Sequence, residues 1–185
     1  MALLDILEAP HPVLKKKARA VLDTEFGPDL AQLFEDMAET MYAAPGVGLA
    51  APQIGDSRRI LVADPGFDGE DGEENKGDQL VYMANPVILS RSEDTITWSE
   101  ACLSVPEYSQ DIRRSNTIVV QYQGADGQTL ERTFEAFPAV VIQHEMDHLD
   151  GITLLEHSSR FKRSRYLKKQ KKRTADTGTS PARRR

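Results

Sequence analysis

The order of elements readable in this 185-residue sequence accommodates an α+β fold. Three observations permit it: an amphipathic helix near the N-terminus, a block of short β-rich runs after it, and a second helix that follows the block. The length is usual for one domain. A 39% hydrophobic share beside 28% charged residues is enough apolar material for a core that needs no disulfide or metal to fold.

Leu30, Leu33, Phe34, Met37 and Met41 recur at helical spacing with Gln32, Glu35, Asp36 and Glu39 between them, so residues 29–42 form the first helix. Pro45 and Gly46 end it. The β-rich runs are Arg59 to Ala63, Leu80 to Met83, Thr95 to Trp98, Thr117 to Gln123 and Thr129 to Phe134. Gly124 to Gly127 turns the last two into a hairpin. The second helix is Pro138 to Leu149, opened by a proline suited to a first turn and closed by Asp150-Gly151. A third, basic helix is expected from Phe161 to Arg173, and Thr174 to Arg185, without apolar periodicity, is expected to be disordered.

Charge is divided unevenly. Residues 1–159 carry 11 Lys and Arg against 28 Asp and Glu, a net −17, whereas residues 160–185 carry 12 against 1, a net +11. That asymmetry suggests an acidic body, 1–159, with a basic end that meets a polyanion. Seven carboxylates crowd Asp64 to Asp78, but without the ligand alternation and central glycine of a calcium loop, so a solvated, mobile loop is expected. Cys102 is the one cysteine and cannot close an internal disulfide, which fits a reducing compartment. The first residues lack the features of a signal peptide, and no apolar run is long enough for a bilayer. A cytoplasmic protein with no membrane partner is expected.

Chemistry concentrates in three segments. His144 and His148 stand four apart on the second helix, one turn apart on one face, where both imidazoles can reach one metal ion. Glu145 completes His-Glu-x-x-His, in which the glutamate is a base rather than a ligand. A catalytic site of this kind wants three protein ligands, and Cys102, in Glu100-Ala-Cys-Leu-Ser-Val-Pro106, is the candidate third. In Gly46-Val-Gly-Leu-Ala-Ala-Pro-Gln53 two glycines let backbone approach a ligand closely and Gln53 supplies an amide donor, although the same letters suit a helix stop and a tight loop. His11 and His157 match no motif and read as surface or structural residues.

In this order the three segments resemble the peptide deformylase family, and the similarity spans roughly residues 5–157. The resemblance implies antiparallel strands packed around a central helix that carries the His-Glu-x-x-His motif, an α+β fold. It implies removal of the formyl group from the N-terminal formylmethionine of nascent polypeptides, with release of formate. One divalent metal ion, most often Fe(II), with Zn, Ni or Co as alternatives, would be held by Cys102, His144 and His148. Glu145 would move the protons, and the Gln53 amide and the Leu103 backbone N–H would stabilise the oxyanion. Gly46, Val47 and Ala101 would line the cleft, and the methionine side chain would enter an apolar pocket near Val47, Ile142 and His144. By the same resemblance residues 160–185 would dock on the ribosome, against its RNA and protein.

Two departures bear on substrate binding. Ala101 stands where the family pattern has glycine, which strains the chain only if the backbone there needs a glycine conformation. Tyr108-Ser109-Gln110 occupies a stretch where the family often has an arginine. Two other readings compete: a zinc metalloprotease, which shares His-Glu-x-x-His but wants a further downstream ligand, and an idle RNA-binding module acting through the basic end.

Overall fold

The structure, a computed structural model of the chain, describes residues 2–67 and 75–177, with side chains to residue 173. The centre of the acidic segment and the last eight residues lie outside the described residues, and with them most of the expected mobile loop and tail. Among the described residues three α-helices and seven strands form: α1 Pro28–Ala43, β1 Gly48–Ala50, β2 Ile60–Ala63, β3 Val81–Arg91, β4 Thr95–Ala101, β5 Ser109–Ser115, β6 Thr117–Gln123, β7 Thr129–Glu135, α2 Ala136–Leu149 and α3 Arg160–Thr177.

Five strands make one antiparallel sheet in the order β1-β2-β3-β6-β7, and β4 pairs with β5 in a separate hairpin. Strand β2 explains how the layers are held. Its Ile60 and Val62 face α1 in one core with Leu30, Phe34 and Met37, while Leu61 and Ala63 face α2 in another with Ile142, Met146 and Leu149. A strand covered on both faces reads as an unbroken apolar run, which is what Ile-Leu-Val-Ala provides. The third cluster lies under the hairpin and joins Leu14, Cys102, Val105, Ile112, Leu154, Leu155 and Tyr166.

Several expected boundaries move, each for a local reason. The run from Leu80 does not stop at Met83. It continues through Asn85, at a positive φ of 53°, and Pro86, where a register shift between Ala84 and Val87 removes the need for a proline N–H in the ladder. Strand β5 was not expected, because Ser-Gln-Asp-Ile-Arg-Arg-Ser has one apolar residue, and its other buried position, Arg114, is an ion-paired cation. Helix α2 begins two residues before Pro138, which occupies the third position of its first turn, where a missing N–H costs nothing.

Helix α3 runs on to Thr177, so residues 174–177, expected to be disordered, are helical. Nor does the helix stand free of the body. Tyr166 and Gln170 are buried, and Tyr166 belongs to the same cluster as Cys102. No helix among the described residues is long and apolar enough to cross a membrane.

Phe34 is fully buried between α1 and the sheet, its ring centroid 5.2 Å from that of Tyr82. Phe34→Ala should lower unfolding stability by about 3–5 kcal/mol in urea titration, the usual cost of such a cavity. A loss under about 1 kcal/mol would show that this core collapses onto the space.

Candidate active site

Helix α2 is buried almost all round because it lies between the sheet and the β4–β5 hairpin, and ten of its 14 residues are buried. Its face toward the hairpin carries Phe137, Val140, Val141, His144, Glu145 and His148 at helical spacing. Opposite them the end of β4 delivers Cys102. The ligand atoms of Cys102, His144 and His148 lie within 4.8 Å of one another, with all three residues buried. Cys102 Sγ is 3.2 Å from His148 Nε2. One thiolate and two imidazoles at this separation fit a single divalent ion.

Outside this trio a partner orients His144, whereas His148 Nδ1 has no hydrogen-bond partner among the described residues. His144 Nδ1 lies 2.7 Å from Glu100 Oε2, which turns its other nitrogen toward Cys102 and His148. Glu100 is in turn gripped by Arg114, at 2.6 Å from Nε and 2.9 Å from Nη2, and Arg114 Nη1 reaches Asp147 on α2 at 2.8 Å. Burial works against the Glu100 charge, but the bonds from Arg114 and His144 outweigh it and hold its pKa down at about 2. Burial also opposes charge on both imidazoles. For His144 the bonds to Cys102 and Glu100 prevail and raise it well above the usual value, whereas His148 is held well below by burial and the nearby cations His144 and Arg114.

Glu145 is buried, and its Oε2 has no hydrogen-bond partner among the described residues. Burial pushes its pKa up to about 7. An unpartnered carboxylate oxygen at the wall of a cavity is poised to exchange a proton with something that enters. Gly48 makes that possible, since a Cβ there would sit 2.8 Å from both Cγ and Cδ of Glu145. A Cβ on Gly46 would likewise meet Leu103 Cδ1 at 2.9 Å.

Gln53 is fixed from both ends. Its Oε1 accepts from the Ala50 N–H at 2.7 Å, while Nε2 donates to Ser104 Oγ at 3.2 Å and lies 3.8 Å from Cys102 Sγ. A cavity of about 350 Å³ opens before these groups, lined by Gly46, Val47, Gln53, Ala101, Cys102, Leu103, His144 and Glu145 among others. Its apolar wall is Trp98, Phe137, Val140 and Val141.

Ile142, expected in that pocket, is instead fully buried in the core between α2 and the sheet and does not line the cavity. The reason is helical: two residues from His144 is about 200° around the axis, so Ile142 faces away from it. The stripe through 137, 140, 141 and 144 was available from that same period. Ala101 is an extended strand residue paired with Ser109 and has no positive φ, so its methyl group lines the cleft without backbone strain. His11 accepts from the Val13 N–H at 3.4 Å at a short 3-10 helix, and His157 Nε2 lies 3.0 Å from Asp147 Oδ2.

Removing Arg114 leaves the buried Glu100 carboxylate without its principal cation. Arg114→Leu should therefore destabilise the metal-free protein by about 3–5 kcal/mol in urea titration. A change below about 1 kcal/mol would show that Glu100 does not depend on this pair.

Comparison with known proteins agrees with this geometry. The sequence pattern of the polypeptide deformylase family matches residues 3–164. The peptide deformylase of Phenylobacterium zucineum (strain HLK1) is 44% identical over 172 residues, which cover 93% of this chain and 97% of that protein. The crystal structure of peptide deformylase from Ehrlichia chaffeensis superposes with a TM-score of 0.85 at 33% identity, over 96% of this chain and 100% of that one. The class I type b peptide deformylase of Acinetobacter baumannii bound to Met-Ala-Ser does so at 0.76 and 34%, over 85% and 100%. A match across most of the chain, with the buried Cys-His-His group in place, makes this protein a member of the peptide deformylase family, hydrolases that remove the formyl group from the N-terminus of polypeptides.

Proposed function

We propose that the cleft between β1 and β4 hydrolyses the formyl amide of formylmethionyl peptides, with the roles divided among its residues as follows. Cys102, His144 and His148 would hold one divalent ion, Fe(II), and the same donors suit Zn, Ni or Co. Such an ion, when bound, supplies Lewis acidity and lowers the pKa of a water. Glu145 Oε2 would accept a proton from the attacking water as its oxygen bonds the formyl carbon, and would pass it to the amine nitrogen as the C–N bond breaks and formate leaves. The Gln53 side-chain amide and the Leu103 backbone N–H donate to the formyl oxygen, and bind it more strongly as it gains negative charge. The observation that carries this reading is the convergence of three ligand atoms within 4.8 Å beside a buried carboxylate oxygen that has no partner among the described residues.

The substrate enters as an extended chain. Among the described residues strand β1 is the edge of its sheet and β4 pairs only with β5, so each offers backbone groups to a peptide laid between Gly46-Val47 and Ala101. The methionine side chain goes to the wall of Trp98, Phe137, Val140 and Val141. The Met-Ala-Ser held by the Acinetobacter relative is a peptide of the kind such a cleft would release.

Glu145→Gln keeps size and removes the basic oxygen, so metal content should survive while formate release from formyl-Met-Ala falls by about 10² or more. Cys102→Ala should lose both metal and activity. Near wild-type turnover in the first variant, or stoichiometric metal in the second, would overturn the assignments.

The basic end is assigned to the ribosome, which puts catalysis in residues 1–159, in the cytoplasm, and docking in 160–185. Arg165, Lys168 and Lys172 form a stripe on α3 turned away from buried Tyr166, as a surface for RNA phosphates requires. Because Tyr166 is part of the body's packing, the test is charge replacement rather than truncation. Changing the three to Gln should weaken ribosome binding by on the order of tenfold or more at low salt and flatten its salt dependence. Dipeptide hydrolysis should not change. Equal ribosome affinity before and after would sink the docking assignment.

A further inference from the structure

The segment between Cys102 and β5 is gripped from two sides. On the inner side the Ala9 N–H donates to the Ser104 carbonyl at 2.8 Å, and Ser104 Oγ receives the Gln53 amide. Within the segment the Val105 N–H closes a turn onto the Cys102 carbonyl at 2.9 Å. The outer side is α3. The Tyr166 hydroxyl donates to the Pro106 carbonyl at 3.3 Å and receives Gln170 Nε2 at 2.7 Å, and its ring meets Tyr108 edge-on with centroids 5.5 Å apart.

Between Pro106 and Tyr108 stands Glu107, whose φ of +58° is a conformation a non-glycine residue keeps only when its surroundings hold it. Its carboxylate meets Lys169 at 2.9 Å and Arg173 at 3.6 Å, both from α3. Glu107 and Lys169 are well exposed, so that pair contributes little. Tyr166, 6% exposed, packs in one cluster with Cys102 and Val105. Burial raises its pKa to about 12, so the hydroxyl keeps the proton it donates.

We propose that Tyr166 is a positioning residue for the metal site: α3 clamps Cys102–Tyr108 from outside, and so holds Cys102 Sγ where His144 and His148 can share an ion with it. This rests on Cys102 being a metal ligand. The clamp gives the basic helix a second role, inside the catalytic unit. Without it the turn at Glu107 relaxes, the segment opens more often, and the thiol strays from the two imidazoles while the remaining cores stay intact.

Cys102 is the only cysteine in the chain, so thiol alkylation of the full-length, metal-stripped protein reads this thiol alone, and a rise over the wild-type rate reads the opening of its segment. Tyr166→Ala should raise the rate of reaction with iodoacetamide about tenfold, through more frequent local opening. It should also speed loss of Fe(II) or Zn to a chelator by a similar factor. Tyr166→Phe, which keeps the ring and is expected to fold, should raise both rates about threefold through loss of the Pro106 bond. Phe34→Leu, in the core between α1 and the sheet, should lower the melting temperature and leave both rates unchanged. Rates within twofold of wild type in a folded Tyr166→Ala protein overturn the clamp. If that variant fails to fold, unchanged rates in Tyr166→Phe overturn it. Equal acceleration by Phe34→Leu also overturns it, since global loosening would then explain the effect. Wild-type protein that binds no metal would refute the ligand assignment instead, and the alkylation rates would still decide the clamp.

Discussion

The buried carboxylate of Glu100 holds the two halves of the active site together. It sits one residue before Ala101 on β4, in a hairpin outside the five-stranded sheet, and so that sheet's hydrogen bonds do not fix its position. What fixes it is Arg114, across the hairpin, which binds Glu100 with two nitrogens and Asp147 of α2 with a third. His144 then takes the other side of the carboxylate. The thiol and the imidazoles come from elements far apart in sequence, and this ion pair ties the strand that leads to Cys102 to the helix that carries His144 and His148.

Buried ion pairs of this sort add little net stability, because the desolvation of each charge offsets their attraction. Their value is geometric. A guanidinium with its donors in a rigid fork admits few arrangements of the groups it binds, and Glu100 in turn fixes which nitrogen of His144 faces the ligand position. The same chain of contacts reaches the surface at His157, on Asp147. Around this polar spine the walls are small or apolar: Gly46 and Gly48 admit Leu103 and Glu145, and Trp98 stacks near Phe137 with centroids 4.9 Å apart.

Local order carried much of this in plain view. Two histidines four apart on a helix must share a face, so His144 and His148 were legible with Glu145 between them. Cys102 was recognisable by the letters around it. The Glu100–Arg114 pair was not, since nothing within a strand announces which buried carboxylate meets which arginine 14 residues away. β5 escaped for the same reason, its alternation resting on a charged residue that is buried only because it is paired. Ile142 shows a different failure, a residue near the motif in sequence but on the opposite side of the helix. The basic end concealed Tyr166 and Gln170, two buried residues among many exposed cations, whose role depends on a surface that only the folded body provides.

The most direct test of the account is formate release from formyl-Met-Ala, followed on protein prepared anaerobically with Fe(II), then stripped by chelation, then reloaded. Activity should track bound metal at one ion per chain, vanish in the stripped protein and return on reloading. Formate release by fully stripped protein, or none from protein carrying one ion per chain, would contradict it.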